Sequence, residues 1–107
     1  KIHFVHDVKV YTLGSPRVGN RSWARLFEAV VTNTYRVAFR NDVITTMPSP
    51  PFYMHAGKEV VLDHLANIHV DPSFVEKVFR ASRNSMGDHK LSSYRDALAT
   101  CIAAHFV

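Results

Sequence analysis

The sequence predicts an α/β fold built around a βαβ unit, followed by a further strand and further helices. Three observations point there: an apolar run at Val8–Leu13 closed by Gly-Ser-Pro, a helical apolar stripe from Trp23 to Val31, and an alternating segment from Tyr35 to Phe39. Strand, short loop, helix and strand in that order require a crossover, and crossovers join parallel strands. With 47% hydrophobic and 21% charged residues in 107, the composition suits one globular domain with a modest core rather than a disordered chain. No linker, repeat or low-complexity segment divides it.

Val8 to Leu13 carries apolar residues on both faces, which predicts a buried strand. Gly14 permits a sharp exit, and Pro16 confines Ser15 to extended backbone and ends the strand. Asn20 is a good N-cap for a helix over about Arg21 to Val31, whose Trp23, Leu26, Phe27, Val30 and Val31 share one face. In Tyr35–Phe39, aromatic and β-branched residues alternate with Arg36, as in a half-buried strand. The alternation breaks at Asn41-Asp42, residues that favour turns because their side chains bond nearby backbone.

Met47 to Gly57 holds three prolines in four positions (Pro48, Pro50, Pro51), so it is neither central strand nor helix interior. A rigid apolar loop of this length is more often functional than a mere connection. Lys58 to Leu62 reads as a short strand. Asp71-Pro72 supplies an N-cap and a first-turn proline for a helix reaching about Ala81. Gly87-Asp88 reads as a turn and N-cap for a last helix over about Lys90 to Phe106. Its stripe is Leu91, Tyr94, Leu98, Cys101, Ile102 and His105.

The formal net charge is +4, but Lys and Arg are scattered, without an RNA-binding signature or zinc-finger spacing. That argues against a nucleic-acid partner and is compatible with weak attraction to an anionic lipid surface. No apolar run reaches membrane-spanning length, since Thr100 and His105 interrupt the most apolar stretch, Ala97 to Val107. Any targeting segment is expected outside the chain, which opens on Lys1 without a charged-then-apolar leader. Cys101 is alone, so no disulfide forms within the chain.

A carboxylate where a strand gives way to a loop stands at the rim of the sheet, where open α/β folds build their sites. Asp42 occupies such a position, although an Asp there also closes a turn. His89 is the best base candidate, because it sits on a loop rather than inside an apolar stripe; His64 is its competitor. No His pair has a metal-binding spacing, and no cofactor motif appears. Nucleophile elbows read Gly-x-Ser-x-Gly, and none occurs: Ser15 is followed by Pro16-Arg17, and Ser85 has Arg83 where the first Gly belongs.

Tyr11-Thr12-Leu13-Gly14-Ser15-Pro16-Arg17-Val18-Gly19-Asn20 resembles a signature of class 3 lipases, the fungal lipase-like branch of the α/β-hydrolases. Tyr35-Arg36-Val37, Asn41-Asp42-Val43-Ile44 and Met47-Pro48 resemble its next block, and His55-Ala56-Gly57-Lys58-Glu59-Val60 a third. Asp88-His89 with Tyr94 resembles the closing block, with four residues rather than two between His and Tyr. Leu62 to Met86 has no clear counterpart, and Val61 stands where relatives often have an aromatic residue.

The resemblance implies the order Ser, Asp, His along the chain, with Asp42 as catalytic acid and His89, 47 residues later, as base. It places the Ser elbow and the oxyanion-hole donors upstream of Lys1. Residues 1–107 are then expected to be the C-terminal part of a fungal lipase-like domain, inactive alone. The implied substrate is a lipid carboxylic ester met at a membrane or lipid–water interface, with no cofactor or metal. Met47 to Met54 would line an acyl-binding mouth or pack beneath the His55 segment. The rival expectation is a lipase-like scaffold without activity, serving protein interaction.

Overall fold

The computed structural model describes residues 8–40, 42–63, 65, 67–71 and 86–106, the last two without their side chains. Strand β1 (Lys9–Leu13) ends at Gly14, whose φ of +66° is a conformation that a side chain would strain. Helix α1 (Arg21–Val30) starts where the sequence predicts, with the Asn20 side chain accepting the Trp23 amide at 2.9 Å. Strand β2 (Asn33–Phe39) returns parallel to β1, with Tyr11 opposite Tyr35 and Leu13 opposite Val37. Strand β3 (Lys58–Leu62) lies parallel on the other side of β2, with Val37 opposite Val60 and Phe39 opposite Leu62.

A fourth strand, β4 (Ile68–Val70), pairs antiparallel with β3, giving the order β1-β2-β3-β4. It has no counterpart in the sequence reading, because three residues are too few to show alternation. Asp63 turns the chain into it: Oδ1 accepts the Leu65 and Asn67 amides at 2.8 and 3.0 Å. The helix expected after Asp71-Pro72 lies outside the described residues.

On one face of the sheet, Val37, Phe39 and Leu62 pack against Tyr94, Ala97 and Cys101 of helix α2 (Leu91–Phe106), with Val60 and Leu98 at the margin. Tyr94 meets the Phe39 ring edge-on, centroids 6.0 Å apart. The expected stripe is therefore correct at Tyr94, Leu98 and Cys101 but not at Leu91 and Ile102, which are exposed. The buried line runs through Ala97 instead, three residues after Tyr94 and four before Cys101, which is the tighter helical face.

The opposite face departs further from expectation. Only Ala24 of α1 is buried, while Leu26 and Val30 are 66% and 75% exposed. Trp23 and Phe27 stack at 5.3 Å and border a small cavity with Val10, Thr12, Met54 and His55. Strand β1, expected to be buried on both faces, exposes Leu13 and leaves Tyr11 64% exposed, though stacked on Tyr35. Periodicity marks an apolar stripe without saying what covers it, and among the described residues nothing covers these. No described helix is long and apolar enough to cross a membrane.

Candidate active site

The C-terminal ends of β1, β2 and β3 gather at one edge of the sheet because these strands are parallel. Beyond β2, Arg40 takes a left-handed φ of +48°, and its amide donates to Leu62 O at 2.8 Å. The Asp42 amide then donates to Phe39 O at 3.1 Å, tucking the carboxylate back against the end of the sheet. Asp42 caps a single 3₁₀ turn, Val43–Thr46: Oδ1 accepts the Ile44 amide at 3.0 Å, and its main-chain oxygen accepts the Thr45 hydroxyl at 2.8 Å. Closing a turn is thus part of its task.

Only part, because Asp42 is 1% exposed and its carboxylate has two further donors. His89 Nδ1 lies 2.9 Å from Oδ2 and 3.1 Å from Oδ1, and the Tyr94 hydroxyl donates to Oδ2 at 2.5 Å. The structure therefore brings Asp42 and His89 together, the approach expected of an acid and its base. Gly14 makes room for them: a Cβ there would stand 2.9 Å from Asp42 Oδ2 and 3.0 Å from His89 Nδ1.

A carboxylate can only accept, so Nδ1 carries the proton, and Nε2 on the opposite edge of the ring is left as an acceptor. The His89 side chain is 40% exposed while its partner carboxylate is fully buried. A ring so held can take a proton at Nε2 with a negative charge directly behind it. Burial raises the Tyr94 pKa, and the bond to Asp42 raises it further, so the phenol stays a donor.

His89 sits on a short 3₁₀ turn, Gly87–His89, at the head of α2. The helix is entered through Lys90, whose carbonyl accepts the Ser93 and Tyr94 amides at 3.0 and 3.3 Å. This corrects the expectation that Asp88 is the N-cap; the Asp88 carboxylate faces Arg40 at 3.9 Å instead. His64, the competing base, and Ser85 lie outside the described residues, and Ser15 donates to its neighbour Pro16 O. Tyr94 was legible only as part of a resemblance and of an apolar stripe. A hydroxyl-bearing residue in a stripe that is otherwise apolar is the signal that could have singled it out.

The proline loop does not pack beneath the His55 segment at its tip, since Met47, Phe52 and Tyr53 are exposed. His55 points inward: its Nε2 donates to Thr45 O at 2.7 Å. Burial, and then the neighbouring Arg36, push the His55 pKa down to about 4, so the ring is neutral near pH 7.

The fold, a mixed sheet whose first three strands are parallel, is a portion of the α/β-hydrolase type. It is similar to a triacylglycerol lipase described as having a serine protease triad for its catalytic centre. That likeness has 24% identity and a TM-score of 0.62, over 76% of this chain and 33% of that one. It is also similar to a mutant form of MDLA from Penicillium cyclopium (23%, TM-score 0.53, covering 83% and 34%) and to Lip2 lipase from Yarrowia lipolytica (23%, 0.50, 91% and 37%). The chain spans about a third of the length of these solved lipases. Residues 2–52 match the family model for class 3 lipases.

Proposed function

We propose that this chain is the C-terminal part of a lipid carboxylic-ester hydrolase, with Asp42 and His89 as the acid and base of a Ser-His-Asp triad. The nucleophilic Ser and the oxyanion-hole donors would come from chain preceding these residues. The Ser oxygen attacks the acyl carbonyl while its proton passes to His89 Nε2. The proton is then given to the departing alcohol oxygen, and water repeats the sequence to release the acid. Asp42 holds Nδ1 protonated and offsets the charge of the imidazolium. Met47, Phe52 and Tyr53 provide an apolar approach for an acyl chain at a lipid–water interface. The observation that supports this reading most is the 2.9 Å contact between a half-exposed His89 and a buried Asp42.

The test uses the complete domain and three variants. His89→Ala should abolish nearly all ester turnover, because among the described residues His89 is the imidazole bonded to the Asp42 carboxylate. Asp42→Asn should cost on the order of 10⁴ in kcat, as the corresponding amide does in the serine-protease template, by favouring the wrong tautomer. Asp88→Asn should be mild, since Asp88 faces Arg40 rather than the imidazole. An inactive Asp88→Asn beside a normal Asp42→Asn would move the acid away from Asp42. A complete domain without any ester turnover would leave the scaffold reading in its place.

A further inference from the structure

The turn that carries Asp42 is a single 3₁₀ turn of four residues. Within it the Thr45 amide donates to Asp42 O at 3.3 Å and the Met47 amide to Ile44 O at 3.1 Å, and the Thr45 and Thr46 hydroxyls donate to Asp42 O and Val43 O at 2.8 and 2.6 Å. Its far end is fixed from outside. The Arg17 amide donates to Met47 O at 2.7 Å, and Arg17 Nη1 donates to Pro48 O at 2.9 Å and also to Thr46 O. His55 Nε2 donates to Thr45 O at 2.7 Å. Four consecutive carbonyls, of residues 45 to 48, are thus taken by two residues that flank the turn on either side in sequence. Arg17 leads out of β1 and His55 leads into β3, so the turn is tied to the strands on both sides of β2.

We propose that Arg17 and His55 are positioning residues for the Asp42–His89 pair, clamping the Val43–Thr46 turn so that the Asp42 carboxylate aims at His89 Nδ1. The proposal rests on the hydrolase reading above. Neither residue contacts the imidazole; both act through main-chain carbonyls. The chemistry of each suits the task. Arg17 offers several donors on one planar group, which lets it hold two carbonyls two residues apart. His55 must present Nε2–H to a carbonyl, and as a neutral ring it does so without adding another charge near Arg17 and Arg36. The buried Glu59 lies in the same electrostatic neighbourhood and offsets the cations.

The complete domain is assayed on a soluble nitrophenyl ester as wild type, His55→Leu, His55→Gln, Arg17→Met and Arg17→Lys. In parallel, the His89 Nδ1 proton is followed by NMR with ¹⁵N-labelled histidine. His55→Leu and Arg17→Met should lower kcat by roughly 10- to 100-fold, as sub-ångström to ångström misplacement does, with KM changed less than about twofold. Both should weaken or broaden the Nδ1 proton signal. His55→Gln, which keeps a donor at similar reach, should recover most of both, and Arg17→Lys should recover less because it lacks the fork.

A folded His55→Leu with normal kcat and an unchanged Nδ1 proton overturns the clamp. So does His55→Gln as impaired as His55→Leu with that signal intact, which would be a packing effect. If the apolar variants fail to fold, Arg17→Lys decides: its kcat and proton signal must fall together, and a fall in only one of them, or in neither, overturns the proposal. Wild type without turnover would sink the hydrolase reading alone, and the clamp would then stand or fall on the proton signal.

Discussion

Asp42 shares two carboxylate oxygens among the Ile44 amide, the His89 ring and the Tyr94 hydroxyl, which come from three separate parts of the chain. A carboxylate removed from water needs such donors, and the Tyr94 bond is short in the manner of charge-assisted O–H···O⁻ contacts. The same crowding makes Gly14 intolerant of any side chain. Gly14→Ala would place a methyl group 2.9 Å from Asp42 Oδ2 while forcing a β-carbon into φ +66°. The backbone alone should cost roughly 1–2 kcal/mol. Turnover of the complete domain should fall by about 10²-fold, because the dyad must shift to admit the methyl group. Urea denaturation and steady-state kinetics check the two effects separately; near-wild-type values in both would show that Gly14 leaves more room than its contacts indicate. None of this was visible in sequence. Asp42 and His89 were, because turn chemistry and motif order are local properties. The approaches of Gly14 and of Tyr94, 52 residues from Asp42, exist only once β1, β2 and α2 are assembled.

Parallel pairing of β1, β2 and β3 sets the site at the element scale, because it delivers three strand ends to one edge. That much follows from the βαβ order and could be read in advance. The faces could not: α1 shows a clear apolar stripe yet buries only Ala24, and β4 is too short to announce itself. The His55 segment between the proline loop and β3 carries a pH dependence of known sign. Its folded pKa of about 4 lies below the ordinary 6.5, so the unfolded chain takes up the proton first as pH falls. His55 therefore contributes its full stability above about pH 6.5 and loses it progressively toward pH 4. With solvent screening discounted for a partly exposed ring, the loss should be about 1–2 kcal/mol. The urea midpoint of the complete domain should drop further between pH 7 and pH 4 in wild type than in His55→Gln. Equal drops would mean that other groups carry the acid sensitivity.

At the scale of the whole molecule, the apolar surface outruns what covers it. Leu26 and Val30 of α1 and Tyr11 and Leu13 of β1 are exposed, and among the described residues β1 has a neighbouring strand on one side only. Parallel sheets are normally buried on both faces, and an unpaired apolar edge is a template for association. A chain spanning about a third of the lipases it resembles would show this pattern if further sheet and helix pack against β1 and α1 in the complete domain. Residues 1–107 expressed alone should then associate with rising concentration in size-exclusion chromatography with light scattering. They should also lack a cooperative monomer melt and show no serine-inhibitor-sensitive turnover of a short-chain nitrophenyl ester. Leu26→Lys with Tyr11→Thr should make this short chain more soluble, and the same pair should destabilise the complete domain, where those positions meet apolar neighbours. The opposite signs separate a missing partner from an ordinary sticky surface, for which both proteins would gain solubility and neither would lose stability. A monodisperse, cooperatively melting monomer of residues 1–107 would show that these residues close their own fold, and the proposal that they are the C-terminal part of a larger domain would be withdrawn.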